Sequence, residues 1–237
     1  MTGPLHLALD AGSPLVSVAL ARGGEPVAER AVEMERSSVQ LLEMIRAVLS
    51  EAGARPADLG GVVALRGPGS FTGLRIGLAT ALGLHQALGI PATAVDTLRT
   101  LAAYAVPEMP PGQTGALVAV VDALRGDWSA QAFTAEPLPR PLSGVELLPG
   151  SELPELFERA GWPGGRVVVG FGVSRLSGIE GWPADIRLVE PGAQRPLASM
   201  AARMAVHPEI PWDAALLTSP LYSRPAAISQ PKRRAPA

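Results

Sequence analysis

The chain has 237 residues, enough for one large domain or two small lobes at roughly 100 to 200 residues per domain, and its 47% hydrophobic and 18% charged content is that of a globular protein. A formal charge of −2 leaves no surplus of cations to neutralise many phosphates, so tight autonomous binding to nucleic acid is not expected. The absence of Cys excludes disulfides, thiolate metal sites and thiol nucleophiles, the scattered His6, His85 and His207 form no metal clamp, and Lys232 as sole lysine excludes a Schiff base in the body of the protein.

Leu5 to Asp10 is a short apolar run closed by Asp10-Ala11-Gly12-Ser13-Pro14, which predicts a buried strand and a tight turn. Leu15 to Ala21 and Val27 to Val32, separated by Gly23-Gly24, complete a three-stranded meander. A helix is predicted from Ser37, where Ser37 and Gln40 have capping-box spacing, to Gly53, which suits the position past its end. Its apolar residues Leu41, Leu42, Met44, Ile45, Val48, Leu49 and Ala52 cover roughly 160° of the circumference, more than the roughly 100° stripe that packing on one sheet requires. Either part of that face is left for another protein, or the helix is sunk between two layers of its own fold.

Gly61 to Leu65 predicts a fourth strand, and Gly67-Pro68-Gly69-Ser70-Phe71-Thr72-Gly73-Leu74-Arg75 leads into a helix running to about Leu88 with Thr72 as its expected cap. Gly73 and Gly77, then Ala79, Gly83 and Ala87, recur at a spacing of four. Glycine inside a helix costs about 0.8–1.0 kcal/mol against Ala, so the pattern implies a close contact, with another helix as the natural candidate. Ala92 to Val95 predicts a strand and Thr97 to Ala105 a helix capped by Asp96 or Thr97. The Pro and Gly cluster from Val106 to Gly112 marks a lobe boundary. Beyond it, the strand Ala116 to Asp122, the turn Leu124-Arg125-Gly126-Asp127 and the strand Trp128 to Thr134 repeat the opening strand–Asp–turn–strand pattern. Helices are predicted at Ser151 to Ala160 and Leu197 to Val206, strands at Arg166 to Val169 and Asp185 to Val189, and a disordered tail over 229–237.

Asp10-Ala11-Gly12-Ser13 has the D-x-G-S/T form of phosphate loops, which makes Asp10, Gly12 and Ser13 candidate cofactor-binding residues; Pro14 removes a backbone donor and favours an ordinary β-turn. GPGSFTGLR lacks the spacing and lysine of a Walker A loop. Its amides at a helix N-terminus, with Arg75 nearby, suit an anion. Equally, Gly67, Pro68, Gly69, Ser70, Phe71, Thr72, Gly73 and Arg75 form a structural motif that fixes the second helix against the first.

GPGSFTGLRIG after the strand Val62 to Leu65, the Gln40-Leu41-Leu42 helix, the Ala94-Val95-Asp96-Thr97-Leu98 segment, Asp122-Ala123-Leu124-Arg125-Gly126-Asp127 and Pro220-Leu221-Tyr222-Ser223-Arg224 resemble, in matching order, elements of the TsaB family, also called YeaZ. The likeness is dense over about Leu5 to Ala105. It implies an α/β, two-lobed actin-like, Hsp70-like and sugar-kinase-like (ASKHA, ribonuclease H-like) fold, with an N-terminal lobe over 1–105 carrying the partner-binding helices and a C-terminal lobe over 106–228. It also implies a noncatalytic subunit that activates its paralogue TsaD, with the ATPase TsaE, for threonylcarbamoyl transfer to the adenosine beside the anticodon of tRNA. No intrinsic cofactor is expected, ATP or ADP belonging to the complex, and tRNA is met only through that complex. The family's partner contact uses its first two helices, which here places Leu41, Met44, Ile45, Val48, Gly73, Gly77, Leu78 and Leu82 at the seam, a seam that also suits a homodimer when the chain is alone. Ser37-Ser38-Val39 departs from the family, whose members often carry His there.

The competing reading is an ATP-dependent phosphotransferase acting alone through Asp10, Gly12, Ser13 and Asp122 across an interlobe cleft. MTGPLHLALDAG lacks the basic region of a signal peptide, and the apolar run Ile76 to Leu84 is far short of the roughly 20 residues of a membrane span. A cytoplasmic protein is expected.

Overall fold

Alternating apolar residues build two five-stranded sheets of one topology in the computed structural model, which describes residues 3–33, 37–109, 115–161 and 165–224, without the side chains of 37–39. The first sheet contains β1 (Leu5–Asp10), β2 (Leu15–Arg22), β3 (Glu25–Glu33), β4 (Gly61–Leu65) and β5 (Ala92–Val95) in the order β3-β2-β1-β4-β5. β1, β2 and β3 form an antiparallel meander, while β4 and β5 run parallel to β1. The second sheet contains β6 (Ala116–Asp122), β7 (Asp127–Thr134), β8 (Glu146–Pro149), β9 (Arg166–Val169) and β10 (Arg187–Val189), and its order β8-β7-β6-β9-β10 repeats the first strand for strand. The recurrence expected from two Asp turns is therefore present as topology.

The parallel strands need crossovers, and these carry the helices. α1 (Ser37–Glu51) joins β3 to β4 and α2 (Phe71–Leu88) joins β4 to β5. α4 (Leu153–Arg159) joins β8 to β9, but only a 3₁₀ segment, Val173–Gly178, lies between β9 and β10. α3 (Thr97–Ala105) and α5 (Leu197–Ala205) follow the last strand of each sheet and are exchanged. α3 packs on β6, β7 and β9 of the second sheet, and α5 packs on β1 to β5 of the first.

Three apolar layers result. Leu5, Leu7, Leu9, Val16, Val18 and Leu20 face α1 and α2 in an outer core of the first lobe. The opposite face of that sheet presents Ala8, Ala19 and Ala21, small enough to admit α5 with its Ala198, Ala201, Ala202 and Ala205. This central core continues through α3 to Leu117, Ala119, Phe133, Val167 and Val169 of the second sheet. Ala116, Val118, Val120 and Trp128 form the second outer core with Leu153, Leu156 and Phe157 of α4. The chain then returns: Thr93 Oγ1 donates to Pro211 O at 2.7 Å, Trp212 stacks on His6 at 4.7 Å, and Leu217 enters the first outer core. A division at residues 105 and 106 separates the two sheets, while α3, α5 and residues 210–221 cross it. The expected tail over 229–237 lies outside the described residues.

Local chemistry accounts for the helix ends. Gly53 at φ +61 closes α1 in a Schellman motif, with Ala54 N donating to Leu49 O and Gly53 N to Ser50 O. The Ser37 half of the expected capping box lies outside the described side chains. Thr72 does not cap α2; the cap is Ser70, whose Oγ accepts from Gly73 N at 3.3 Å, because the helix begins two residues earlier than a Thr72 cap implies. Asp96 stands at the start of α3 without capping it, since its carboxylate takes Arg66 Nε at 2.6 Å. The predicted 151–160 helix begins as a 3₁₀ turn and is α-helical only over Leu153–Arg159; the predicted 185–189 strand shortens to Arg187–Val189, and β8 was not expected.

Candidate functional site

Each sheet ends its first strand in an Asp that folds back on the following turn. Asp10 is fully buried, and its Oδ1 accepts the amides of Gly12 at 3.1 Å and Ser13 at 3.2 Å. Its Oδ2 is buried without a hydrogen-bond partner. Burial raises its pKa from the ordinary 3.8 to about 6, against the donors at Ser13 and Gly12, which pull the other way. Asp122 is more open: Oδ1 accepts the Leu124 amide at 2.7 Å, and Oδ2 pairs with Arg175 Nη2 at 2.7 Å. Arg175 is itself seated over the Trp128 ring at 4.3 Å. Leu124, Arg125 and Gly126 all have positive φ in the β6–β7 turn, which Asp127 N closes by donating to Leu124 O at 3.3 Å.

Between these turns lies a cleft of about 1130 Å³. Gly12, Ser13, Pro68, Phe71 and Tyr222 line it from the first lobe, and Val121, Asp122, Leu124 and Phe171 from the second. Leu124 is 71% exposed and Phe71 40%, so the walls present apolar groups. Asp10, Gly12 and Ser13 are brought together as expected, but the two amides are spent on the Asp10 carboxylate. Asp122 is neutralised by Arg175, and Arg224 on the cleft wall is paired with Asp127. The Asp10 turn and Asp122 thus have their amides and charges already partnered, whereas Ser13 Oγ is buried without a hydrogen-bond partner.

GPGSFTGLR is held to the fold through its glycines, while Phe71, Thr72 and Arg75 stay exposed. Ser70 N donates to Gly12 O at 2.8 Å, and a Cβ at Gly73 would collide with Ala11 O. A Cβ at Gly77 would stand 3.3 Å from Ala11 Cβ. These two glycines therefore bring α2 against the β1–β2 turn, not against another helix. Gly67, at φ +110, leaves room for Leu221 O, and Arg75 lies over the Phe71 ring at 3.8 Å while its Nε donates to Tyr222 Oη at 3.2 Å.

Most of the residues expected at a partner seam are buried within the chain. Leu41, Met44, Ile45 and Val48 turn inward to the first outer core, as do Gly73, Gly77 and Leu78, and Leu82 is half-buried. The wide apolar arc of α1 is explained by packing on β2, β3 and α2 together. Among the residues that α1 and α2 leave exposed are Leu42, at 53%, and the small residues Ala79, Gly83 and Ala87, alongside Glu43, Arg46, Arg75 and Gln86. Nothing lies within 4 Å of a Cβ placed at Gly83. No three His, Asp or Glu side chains gather as metal ligands among the described residues, and no described helix is long and apolar enough to cross a membrane.

These features define a two-lobed α/β fold in which two five-stranded sheets share one strand order. Component A of the Acidaminococcus fermentans (R)-2-hydroxyglutaryl-CoA dehydratase shares the fold, with a TM-score of 0.52 and 16% identity over 86% of this chain and 98% of that one. Over part of its length the chain is similar in sequence to TsaB proteins, and over most of it similar in structure to YeaZ. YeaZ from Pseudomonas aeruginosa superposes with a TM-score of 0.67 at 26% identity, covering 86% of this chain and 91% of that one. The Bacillus subtilis tRNA threonylcarbamoyladenosine biosynthesis protein TsaB is 37% identical over 98 residues, 41% of this chain and 43% of that protein, so the sequence match spans less than half of the curated relative. The model of the TsaD family, tRNA N6-adenosine threonylcarbamoyltransferase, matches residues 31–134. Tyr222 and Arg224 escaped the residue-level reading because their partners lie about 100 to 150 positions away in the chain.

Proposed function

We propose that the chain is a noncatalytic accessory subunit that docks on a TsaD-type paralogue through the outer face of α1 and α2 and, with a TsaE-type ATPase, supports threonylcarbamoyl transfer to tRNA. The observation that carries this reading is the exposed small-residue stripe Ala79, Gly83 and Ala87 on α2, with Leu42 exposed on α1. Glycine at 83 costs helix stability and gains no contact within the chain, which suits a second helix approaching closely. The match of residues 31–134 to the TsaD family supports pairing between related lobes, because this span includes both helices. The amides spent on Asp10 agree with leaving nucleotide and tRNA to the complex, in the cytoplasm where tRNA is modified. Alone, the same face serves a homodimer.

Threonylcarbamoyl transfer by TsaD and TsaE should fall to background without this protein, and full activity in its absence would sink the proposal. Ala79→Arg and Gly83→Arg place a long cation on the exposed stripe and should weaken the TsaD complex at least about tenfold, about 1.4 kcal/mol, with melting nearly unchanged for Ala79→Arg and raised for Gly83→Arg by its better helix propensity. Wild-type affinity in both would remove this face from the interface. A phosphotransferase acting alone would instead show tight ATP binding in calorimetry, lost in Asp10→Ala.

A further inference from the structure

Three sequence elements, GPGSFTGLR, DALRGD and PLYSR, converge at one edge of the interlobe cleft. Leu221 N donates to Arg66 O at 2.7 Å, and the chain passes over Gly67, where any side chain would strike Leu221 O. Tyr222 then packs on Phe71, with ring centroids 4.8 Å apart, and accepts from Arg75 Nε. All of these anchors belong to the first lobe. Two residues later Arg224 reaches the second: its Nη2 pairs with Asp127 Oδ2 and lies 3.5 Å from Leu124 O, the two ends of the β6–β7 turn.

We infer that residues 220–224 form a latch that fixes the opening of the cleft by tying α2 of the first lobe to the β6–β7 turn of the second. The lobes are already joined through the central core of α3 and α5, so a second tie at the cleft removes the remaining freedom to hinge. The tie is specific in its chemistry. Both contacts are made by the one nitrogen Nη2, so the tie is a charge-assisted pair with Asp127 backed by a weaker contact to the Leu124 carbonyl. Leu124 and Arg125 hold positive φ in the turn that Arg224 grips, so the turn and the strap support each other. This inference stands independently of the proposed partner.

The chain has no Cys, so two introduced cysteines are its only labels. Ser50→Cys at the exposed end of α1 and Ser151→Cys before α4 place spin labels on opposite lobes for distance measurement by pulsed electron paramagnetic resonance. The parent should give one narrow distance. Arg224→Ala and Asp127→Asn, which cut the tie from opposite sides, should each broaden it. In each variant the amides of Leu124 and Asp127 should exchange about tenfold faster, the factor that about 1.4 kcal/mol represents. Parent-like widths in either variant overturn the latch, as does broadening in one variant alone. Tyr222→Phe, which loses one hydrogen bond and keeps the ring contact, should move both readouts in the same direction by a smaller amount; no movement would place the tie in Arg224 alone and contradict a strap anchored on both lobes.

Discussion

The two sheets have the same strand order, yet their crossovers differ. Between β4 and β5 the first lobe carries the 18-residue α2, and between β9 and β10 the second carries a six-residue 3₁₀ segment. The Asp turns differ likewise, one sealed and strained electrostatically, the other open and paired with Arg175. What the repeat conserves is the part each sheet needs in order to pack against the exchanged helices α3 and α5. What diverges lies on the outer faces, where nothing in the fold demands symmetry. The difference locates the surface available to a partner: only the first lobe of the described chain has a long helix with small residues outside.

The comparison breaks most severely at Gly73. Its Cα sits against the Ala11 carbonyl, backbone to backbone, so Gly73→Ala cannot be accommodated by a rotamer change. Overpacking of this kind costs typically 1–3 kcal/mol and here about 3 kcal/mol or more, because α2 must lift from the β1–β2 turn. Urea denaturation should show the loss, and a variant of parent stability would mean that the turn is not held by α2. The second lobe has no α2 equivalent and therefore no counterpart to this defect.

Asp10 sharpens the comparison through pH. Its folded pKa lies near 6 and its unfolded value near 3.8, so the folded state binds the extra proton between them. The contribution to stability is fully present below about pH 3.8 and is lost as pH rises through about 6, amounting to about 3 kcal/mol over the window. Asp10→Asn should remove that slope. The difference in unfolding free energy between Asn and Asp proteins should shift by about 3 kcal/mol in favour of Asn from pH 4 to pH 7.5. Parallel curves would show that Asp10 titrates normally.

Much of this architecture was legible in the sequence because its signals are local. The β1 run, the Asp turns, Gly53 and the four-residue spacing in α2 each act within a few residues of where they stand. The exchange of α3 and α5 was not legible, since an Ala-rich helix packs equally well on either sheet until both exist. The same limit explains the partner residues. Leu41, Met44, Ile45 and Val48 show by their period that α1 has an apolar face, but the period does not say whether that face meets its own sheet or another chain. In this fold that face is buried in the first outer core, and the contact proposed for a partner uses the exposed Leu42, Ala79, Gly83 and Ala87.

Two glycines of one helix then make the finest test. Gly73 is fixed by a backbone collision, whereas Gly83 faces open space and is helical like its neighbours. Gly83→Ala adds a methyl group that meets nothing in the chain and should raise stability by about 0.8–1.0 kcal/mol, the helix-propensity difference. If a partner helix approaches this face, the same methyl group occupies the space that close packing uses, so affinity for the TsaD-type partner should fall while the free chain becomes more stable. Urea midpoints and binding isotherms on one variant separate the two effects. A gain in stability with unchanged affinity would show that no helix comes near Gly83, and the exposed stripe would lose its proposed role even though the fold around it stands.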